Sequence, residues 1–221
     1  MTVDAAEVLL IQFARAPLPG HVKTRMMPRL SATDACNLHC ELVLWTCRRL
    51  LDSGLGKVEL SVAGGAAYPL FERCREMGVA RIREQSGRDL GQRMYRALQT
   101  GLLDHDRVIL VGSDCPGIDE AYLGRALLSL EHAPVVLGPA TDGGYVLIGA
   151  SRIHEQVFED IPWGTDQVFA RSIAALDAAG LDWEALPELA DIDRPRDLSI
   201  WESLTAVLST SRISISDASF V

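Results

Sequence analysis

A basic loop near the amino terminus contains the residue types of an anion-binding site. Between Val8 and Thr33 there are four Lys or Arg residues and no Asp or Glu, in a chain whose formal net charge is −9. Arg offers a planar fork of donors and Lys a mobile point charge, so a diphosphate would be a suitable ligand. The alternative is a solvated loop with incidental positive charge. The four cations are Arg15, Lys23, Arg25 and Arg29.

The shape of this loop also suits an anion. Lys23 and Arg25 are two positions apart, so an extended chain would project both side chains to one side. Pro17 and Pro19 stiffen the loop, and Gly20 permits close approach of the backbone to a ligand. The loop matches neither the P-loop pattern GxxxxGK[ST] nor the dinucleotide fingerprint GxGxxG.

A second candidate is Asp114, which follows the apolar run RVILVG at 107–112. Ligands of open α/β sheets gather at the carboxyl ends of strands, where an Asp can hold a divalent cation. An equally good interpretation makes Asp114 the N-cap of a following helix.

A third candidate is the pair Asp191 and Asp193 in the segment DIDRP. Two carboxylates at this spacing can present oxygens to Mg²⁺ or Mn²⁺ from one side of an extended segment. The alternative is that Asp193 caps the helix that Pro195 begins. A metal site would require the fold to bring Asp114 and Asp193 together.

Two glycine-containing segments complete the candidates. At 138–149, Gly143 and Gly144 let a ligand approach the backbone, and Asp142 can bind sugar hydroxyls or act as a base. The alternative there is a tight Asp-Gly turn that joins two strands. At 85–94, Gln85 and a turn with paired glycines precede a helix and offer groups that could read the edge of a base.

The elements that must position these residues alternate between strand-like and helix-like patterns, which is typical of a mostly parallel sheet covered on both faces. The helix at 32–53 is predicted to begin at a Ser31–Asp34 capping box and to end at Gly54. The predicted strands are 7–14, 57–63, 79–84, 107–112, 134–138 and 144–149. The further predicted helices are 67–77, 89–103, 119–132, 165–179 and 195–208.

The composition excludes several classes of protein. Of 221 residues, 48% are hydrophobic and 23% charged, which is typical of a globular chain and too apolar for a disordered one. The acidic balance disfavours a general nucleic-acid binder. The apolar runs are too short to span a membrane, and no secretion signal opens the chain, so the cytoplasm is the expected location.

The five cysteines give no sign of a disulfide framework or a zinc ribbon, because their number is odd and no CxxC spacing occurs. Cys36, Cys40 and Cys47 fall on one stripe of the predicted helix. We expect them to face the core, since no fourth ligand with suitable spacing accompanies them as in a thiolate metal site.

Six segments of the chain, taken together and in their order along the sequence, resemble the nucleotide-diphospho-sugar transferase superfamily and, within it, the bacterial glycosyltransferase-like family DUF2064. Arg15 stands where the family usually has a lysine. The segments are FARAPLPGHVKTRM at 13–26, QSGRDLGQRM at 85–94, LVGSDCPGI at 110–118, GPATDGGYVLIG at 138–149, IPWGTDQVF at 161–169 and DIDRPRDL at 191–198.

The resemblance implies a GT-A fold, a Rossmann-like three-layer α/β/α sandwich with a mostly parallel mixed sheet, in one domain over residues 1–208 with a tail at 209–221. It implies Mg²⁺ or Mn²⁺ held by Asp114 and Asp193, with Asp191. It places Asp142, Gly143, Gly144 and Trp163 on the acceptor side. The residues implied to bind the nucleotide are Arg15, Pro19, Gly20, Lys23, Arg25, Gln85, Gly87, Asp89 and Gly91.

The function implied is a metal-dependent transferase that binds a nucleotide-diphospho-sugar and transfers the glycosyl group to a small acceptor. Lys23, Arg25 and the metal held by Asp114 would neutralise the leaving diphosphate, and Asp142 would be the base of an inverting reaction. One alternative is a nucleotidyltransferase that joins a nucleoside triphosphate to a phosphorylated small molecule and releases pyrophosphate. The segment GSDCP, which lacks an Asp-x-Asp, favours this alternative. Another alternative is a non-catalytic nucleotide-binding module.

Overall fold

The computed structural model describes residues 7–210, which contain one seven-stranded mixed sheet of order β3-β2-β1-β4-β6-β5-β7. Strand β6 is antiparallel to its neighbours β4 and β5, and the other pairs are parallel. The strands are β1 (Val8–Arg15), β2 (Lys57–Ala63), β3 (Arg81–Glu84), β4 (Arg107–Val111), β5 (Val135–Pro139), β6 (Tyr145–Ala150) and β7 (Trp183–Ala185). The predicted fold class is confirmed.

Six α-helices accompany the sheet in the described part of the chain. The helices are α1 (Ala32–Ser53), α2 (Pro69–Glu76), α3 (Leu90–Gly101), α4 (Glu120–Ser129), α5 (Val168–Ala178) and α6 (Leu198–Thr210). The predicted ends of α1 are confirmed. Ser31 Oγ accepts a hydrogen bond from the Asp34 N–H at 3.1 Å, and Gly54 closes the helix with a positive φ of 61°.

Two apolar clusters show that both faces of the sheet are covered. Strand β1 alternates between them: Leu10 belongs to the cluster with α1, α2 and α4, and Ile11 to the cluster with α3 and α5. This alternation follows from the two-residue period of a strand. Cys36, Cys40 and Cys47 are buried free thiols in the first cluster, so the prediction that they face the core is confirmed.

Two elements near the carboxyl end differ from the predictions. Strand β7 was not predicted, because three residues are too few to show a period. The helix predicted at 195–208 starts as a 3-10 turn at Pro195–Asp197, and α6 then continues to Thr210, past the predicted domain limit. The rest of the predicted tail, residues 211–221, lies outside the described residues.

Between residues 7 and 210 there is no helix that combines the length and the apolar character needed to cross a membrane.

Candidate active site

Two adjoining clefts lie at the carboxyl ends of β1 and β4. The first cleft has a volume of about 640 Å³ and is lined by the end of β1, the basic loop and Asp114. The second cleft has a volume of about 220 Å³ and shares Asp114 and Tyr145 with the first. This is the edge at which open α/β sheets bind their ligands.

Lys23 and Asp114 form an ion pair at the base of the first cleft. The Lys23 Nζ lies 2.9 Å from Asp114 Oδ1, and the lysine side chain is only 2% exposed. The same ammonium group donates a hydrogen bond to the carbonyl of Ile192. A buried ammonium group needs such partners, because taking an unpaired charge out of water is costly.

The backbone places Lys23 differently from the extended loop that was predicted. Lys23 has a φ of 50°, in the left-handed region, and a 3-10 turn begins immediately after it at Thr24–Met26. The expectation that an extended chain aligns Lys23 with Arg25 is therefore wrong. Both side chains nevertheless line the first cleft.

The side chain of Asp114 is available to bind a ligand in the cleft, because another residue caps the following helix. Asp119 accepts the hydrogen bond from the Tyr122 N–H at 2.8 Å at the start of α4. Burial by itself would raise the pKa of Asp114. The charges of Lys23 and His39 and the hydrogen bond from Lys23 outweigh burial, so the pKa lies below its ordinary value.

Arg25 and Asp193 form a second ion pair in the first cleft, with 2.6 Å between Arg25 Nη1 and Asp193 Oδ2. The hydrogen bond and the charge of Asp193 raise the pKa of Arg25. The alternative role of Asp193 as a helix cap is wrong. Asp197 instead reaches back to accept from the N–H groups of Asp193 at 3.1 Å and Arg194 at 2.7 Å.

The second cleft is acidic and aromatic. Among residues 7–210, its lining includes three carboxylates and no Lys, Arg or His. Trp163 and Tyr145 form part of its wall and meet edge to face at 6.3 Å between ring centroids. Burial, followed by the negative charges of Asp142 and Asp193, raises the pKa of Asp191 to about 6. The carboxylates are Asp114, Asp142 and Asp191.

Asp142 belongs to the tight turn that was one interpretation of its segment, and it also lines the second cleft. Its Oδ1 accepts a hydrogen bond from the Gly144 N–H at 2.9 Å in the turn between the antiparallel strands β5 and β6. Gly143 is required there, because its φ is +89° and a Cβ would collide with the backbone of Asp166. Asp142 and Gly144 line the second cleft, and Gly143 supports the turn behind it.

The carboxylate oxygens at this edge of the sheet are of the type that binds a divalent cation. The protein side chains of residues 7–210 alone do not form a complete metal site. In the part of the chain that the structure describes, no three His, Cys, Asp or Glu side chains group in a way that could hold a metal ion. Mg²⁺ is usually bound by one or two carboxylates together with substrate phosphates. Asp114 and Asp193, which line the cleft beside basic side chains, fit that mode of binding.

The residues predicted to bind the nucleotide divide into two groups. Arg15 and Gln85 line the first cleft with Lys23 and Arg25. The Gln85 amide Nε2 donates to the Ser61 carbonyl at 2.9 Å, which leaves its Oε1 as an acceptor. The remaining predicted residues lie outside the lining of either cleft: Pro19, Gly20, Gly87, Asp89 and Gly91.

Two of these outlying residues have structural roles. Asp89 caps α3 and accepts from the Gln92 N–H at 2.8 Å. Gly91 lies against Trp163, where a Cβ would come within 2.7 Å of the indole. Gly91 therefore supports the wall of the second cleft without lining it.

Sequence reasoning missed several residues that shape the first cleft. His39 and Arg93 line it, although each appears in the sequence as an ordinary helical residue. Gln12 is completely buried, and its Nε2 donates to Ser113 Oγ at 2.9 Å, which fastens the residue before Asp114 to β1. The signal for Gln12 was present, since it is a lone polar residue inside an apolar strand.

Comparison with protein families and relatives identifies the family of the chain. A family model described as "Uncharacterized protein conserved in bacteria (DUF2064)" matches residues 46–165. A solved structure from Desulfovibrio desulfuricans G20, of a protein proposed to be a nucleotide-diphospho-sugar transferase, is 30% identical. The alignment covers 95% of this chain and 92% of that chain, with a TM-score of 0.82.

A curated relative is more distant. The 2-phospho-L-lactate guanylyltransferase of Methanothermobacter thermautotrophicus is 28% identical over 124 residues, which is 56% of this chain and 54% of the relative. The chain thus spans about half the length of the curated relative it matches.

The fold also matches the inositol-1-phosphate CTP transferase of T. maritima. Its TM-score is 0.59 and its identity 15%, over 92% of this chain and 97% of that one. This match shows the fold alone; the relatives from Desulfovibrio desulfuricans and Methanothermobacter thermautotrophicus confirm the predicted class of enzyme, a glycosyltransferase-like or nucleotidyltransferase-like transferase.

Proposed function

Because this chain belongs to the bacterial family DUF2064, we propose that its two clefts form the active site of a metal-dependent nucleotidyltransferase. The enzyme joins a nucleoside triphosphate to a phosphorylated small molecule. The observation that carries the proposal is the pair of cation–carboxylate contacts, Lys23 with Asp114 and Arg25 with Asp193, in one cleft. Side chains that would bind phosphates and carboxylates that would bind a divalent metal thus lie side by side in the first cleft.

Nucleotidyl transfer suits this arrangement better than glycosyl transfer. A single Asp114 follows β4, without the second carboxylate of an Asp-x-Asp. A phosphate acceptor is already a nucleophile at neutral pH, so the reaction needs no general base among the protein side chains. The guanylyltransferase relative supports the same choice.

In the proposed reaction, an oxygen of the acceptor phosphate attacks the α-phosphorus of the nucleoside triphosphate. The bond from that phosphorus to the oxygen bridging to the β-phosphate breaks, and diphosphate leaves with the electron pair. Lys23, Arg25 and Arg15 bind the phosphates and stabilise the charge that develops on the leaving group. The cleft holds the two substrates in line, which removes the entropic cost of their encounter.

Asp114 and Asp193 would hold Mg²⁺ or Mn²⁺, which supplies further positive charge at the phosphates when bound. Gln85 has its amide N–H committed to the backbone, so its oxygen can accept a hydrogen bond from the nucleobase. Trp163 and Tyr145 form the aromatic wall against which the organic part of the acceptor packs.

Glycosyl transfer to a small acceptor is the second candidate function, and two observations favour it. The relative from Desulfovibrio desulfuricans is proposed to be a nucleotide-diphospho-sugar transferase. Asp142 lies in the second cleft, where it could accept a proton from an acceptor hydroxyl.

A thermal-shift panel with Mg²⁺ separates the two candidates, because a ligand that binds the native state raises the melting midpoint. Stabilisation by one nucleoside triphosphate, with pyrophosphate release once an acceptor is supplied, supports nucleotidyl transfer. Stabilisation by nucleotide sugars without any by triphosphates would contradict it. Lys23→Ala and Asp114→Asn must abolish the metal-dependent shift if the site is correctly identified.

A further inference from the structure

The segments that carry Asp114 and Asp193 are far apart in sequence, and two tryptophans outside the clefts connect them. Trp45 lies on α1, and its Nε1 donates to the carbonyl of Pro116 at 3.1 Å. Pro116 stands two residues after Asp114, so this bond fixes the segment through which the chain leaves the site. The guanidinium of Arg49 lies over the Trp45 ring, 5.5 Å from the ring centroid.

Trp201 holds the other segment. It lies on α6, is only 6% exposed, and donates from Nε1 to Glu41 Oε2 on α1 at 3.2 Å. Its ring meets that of Trp45 edge to face, with 5.4 Å between the centroids. The two indoles therefore join α6 to α1 at the level where Trp45 holds Pro116.

The apolar cluster around Trp201 reaches the site itself. Met26 and Ile192 belong to this cluster, and both are completely buried. Met26 adjoins Arg25, and Ile192 adjoins Asp193. The Ile192 N–H donates to the Asp114 carbonyl at 2.8 Å, and the Ile192 carbonyl accepts from Lys23. Through Ile192, the cluster fixes the carboxylates relative to each other.

From these contacts we infer that Trp45 and Trp201 are positioning residues, which set the separation of Asp114 and Asp193 and thereby the affinity of the site for its divalent cation. The inference rests on the proposed function. Neither tryptophan lines a cleft, so neither touches the substrate. Aromatic pairs of this geometry have a preferred orientation and hold the two elements at a defined distance.

The test compares Trp45→Phe and Trp201→Leu with the matched control Trp183→Leu. Trp183 makes the same kinds of contact away from the clefts: its Nε1 donates to Asp177 at 2.8 Å, and its ring meets Phe169 edge to face. The measurement is the apparent dissociation constant of Mg²⁺, by calorimetry, with a non-hydrolysable nucleoside triphosphate bound. Nucleotide affinity in EDTA and the melting midpoint are measured alongside.

We expect both positioning variants to weaken Mg²⁺ binding at least fivefold, with nucleotide affinity in EDTA within twofold of the wild type. Trp183→Leu lowers the melting midpoint but leaves the Mg²⁺ constant unchanged. Trp201→Phe retains an aromatic ring, so it recovers most of the affinity that Trp201→Leu loses. If the leucine variant does not fold, Trp45→Phe, which loses the hydrogen bond to the Pro116 carbonyl, still provides the measurement.

Failure of this inference and failure of the proposed function give different experimental results. If the wild type binds the nucleotide with Mg²⁺ but Trp45→Phe and Trp201→Leu keep the wild-type Mg²⁺ constant, the inference is wrong and the proposed function stands. If the wild type binds no nucleotide with or without Mg²⁺, both are overturned.

Discussion

At the scale of single residues, two of the three cations proposed to bind phosphate each neutralise a carboxylate proposed to bind metal. Lys23 pairs with Asp114, and Arg25 with Asp193. A metal or a nucleotide that arrives alone would separate a pair and leave one charge uncompensated, which is costly for the buried Lys23. Binding of the two ligands together replaces each lost partner. We therefore expect nucleotide and metal to strengthen each other's binding.

The variant Asp193→Asn tests this exchange of partners. It releases Arg25, so nucleotide binding in EDTA should become stronger, by up to about fivefold for a pair of this exposure. With Mg²⁺ present, the same variant should bind nucleotide more weakly than the wild type, because a metal-holding carboxylate is lost. Calorimetry under both conditions is the measurement, with Asp177→Asn, outside the clefts, as control. Weaker binding in EDTA would contradict the exchange.

His39 gives a prediction for the pH dependence of stability. Its Nε2 donates to the Arg15 carbonyl at 2.9 Å, and burial lowers its pKa below the ordinary value of 6.5. Between the two pKa values, only the unfolded chain binds the proton, so the free energy of unfolding falls as the pH drops below about 6.5. The variant His39→Gln keeps a side-chain N–H that can donate to the Arg15 carbonyl, but its amide does not bind a proton in this pH range.

The midpoint of urea unfolding at pH 7.5 and at pH 5.5 is the measurement for His39. We expect the loss of stability between these values to be smaller in His39→Gln than in the wild type. The exposed His132 is the control, since His132→Gln should lose as much as the wild type. An equal loss in all three proteins would show that His39 does not carry the effect.

At the scale of elements, the segments with a clear pattern or marked ends were predictable, and the three-residue strand β7 was not. Helix α1 follows the prediction at both ends, because a capping serine and a terminal glycine mark them. Strand β7 has only three residues, and its pairing with β5 comes from the tertiary fold rather than from its own pattern. The same holds for Lys23, whose left-handed backbone no local sequence signal indicates.

Gly91 provides a test of how α3 supports the wall of the second cleft. A Cβ at this position would lie 2.7 Å from the Trp163 ring and 2.8 Å from the Phe158 carbonyl. Gly91→Ala should therefore destabilise the protein by about 1–3 kcal/mol, as overpacking does, and displace Trp163. Urea unfolding measures the loss of stability. The fluorescence of Trp163 measures its displacement, in a protein in which Trp45, Trp183 and Trp201 are replaced by Phe.

Gly124 in α4 is the matched control for Gly91. It is also a helical glycine, but a Cβ there meets no atom within 4 Å. Gly124→Ala should stabilise the protein by about 0.5–1 kcal/mol, since alanine loses less backbone entropy in a helix. Equal stabilisation by both substitutions would mean that Gly91 has no close contact with Trp163.

At the scale of the whole molecule, the charged residues are unevenly distributed. The chain has a net charge of −9, yet its basic loop lines the first cleft, and acidic residues line the second. The basic loop and the separate carboxylates were recognisable in the sequence by residue type and order. Their pairing was not, because Lys23, Asp114 and Ile192 meet only through long-range contacts. The acidic surface disfavours polynucleotides, and the basic cleft favours a mononucleotide.

The fate of the α-phosphate tests the central claim most directly. Phosphorus NMR of the wild type with Mg²⁺, a nucleoside triphosphate that stabilises it and a panel of phosphorylated small molecules follows every phosphate at once. Nucleotidyl transfer predicts free pyrophosphate and a new diphosphate diester that contains the α-phosphorus, and neither product with Lys23→Ala. Release of a nucleoside diphosphate from a nucleotide sugar, with triphosphates left intact, would contradict it.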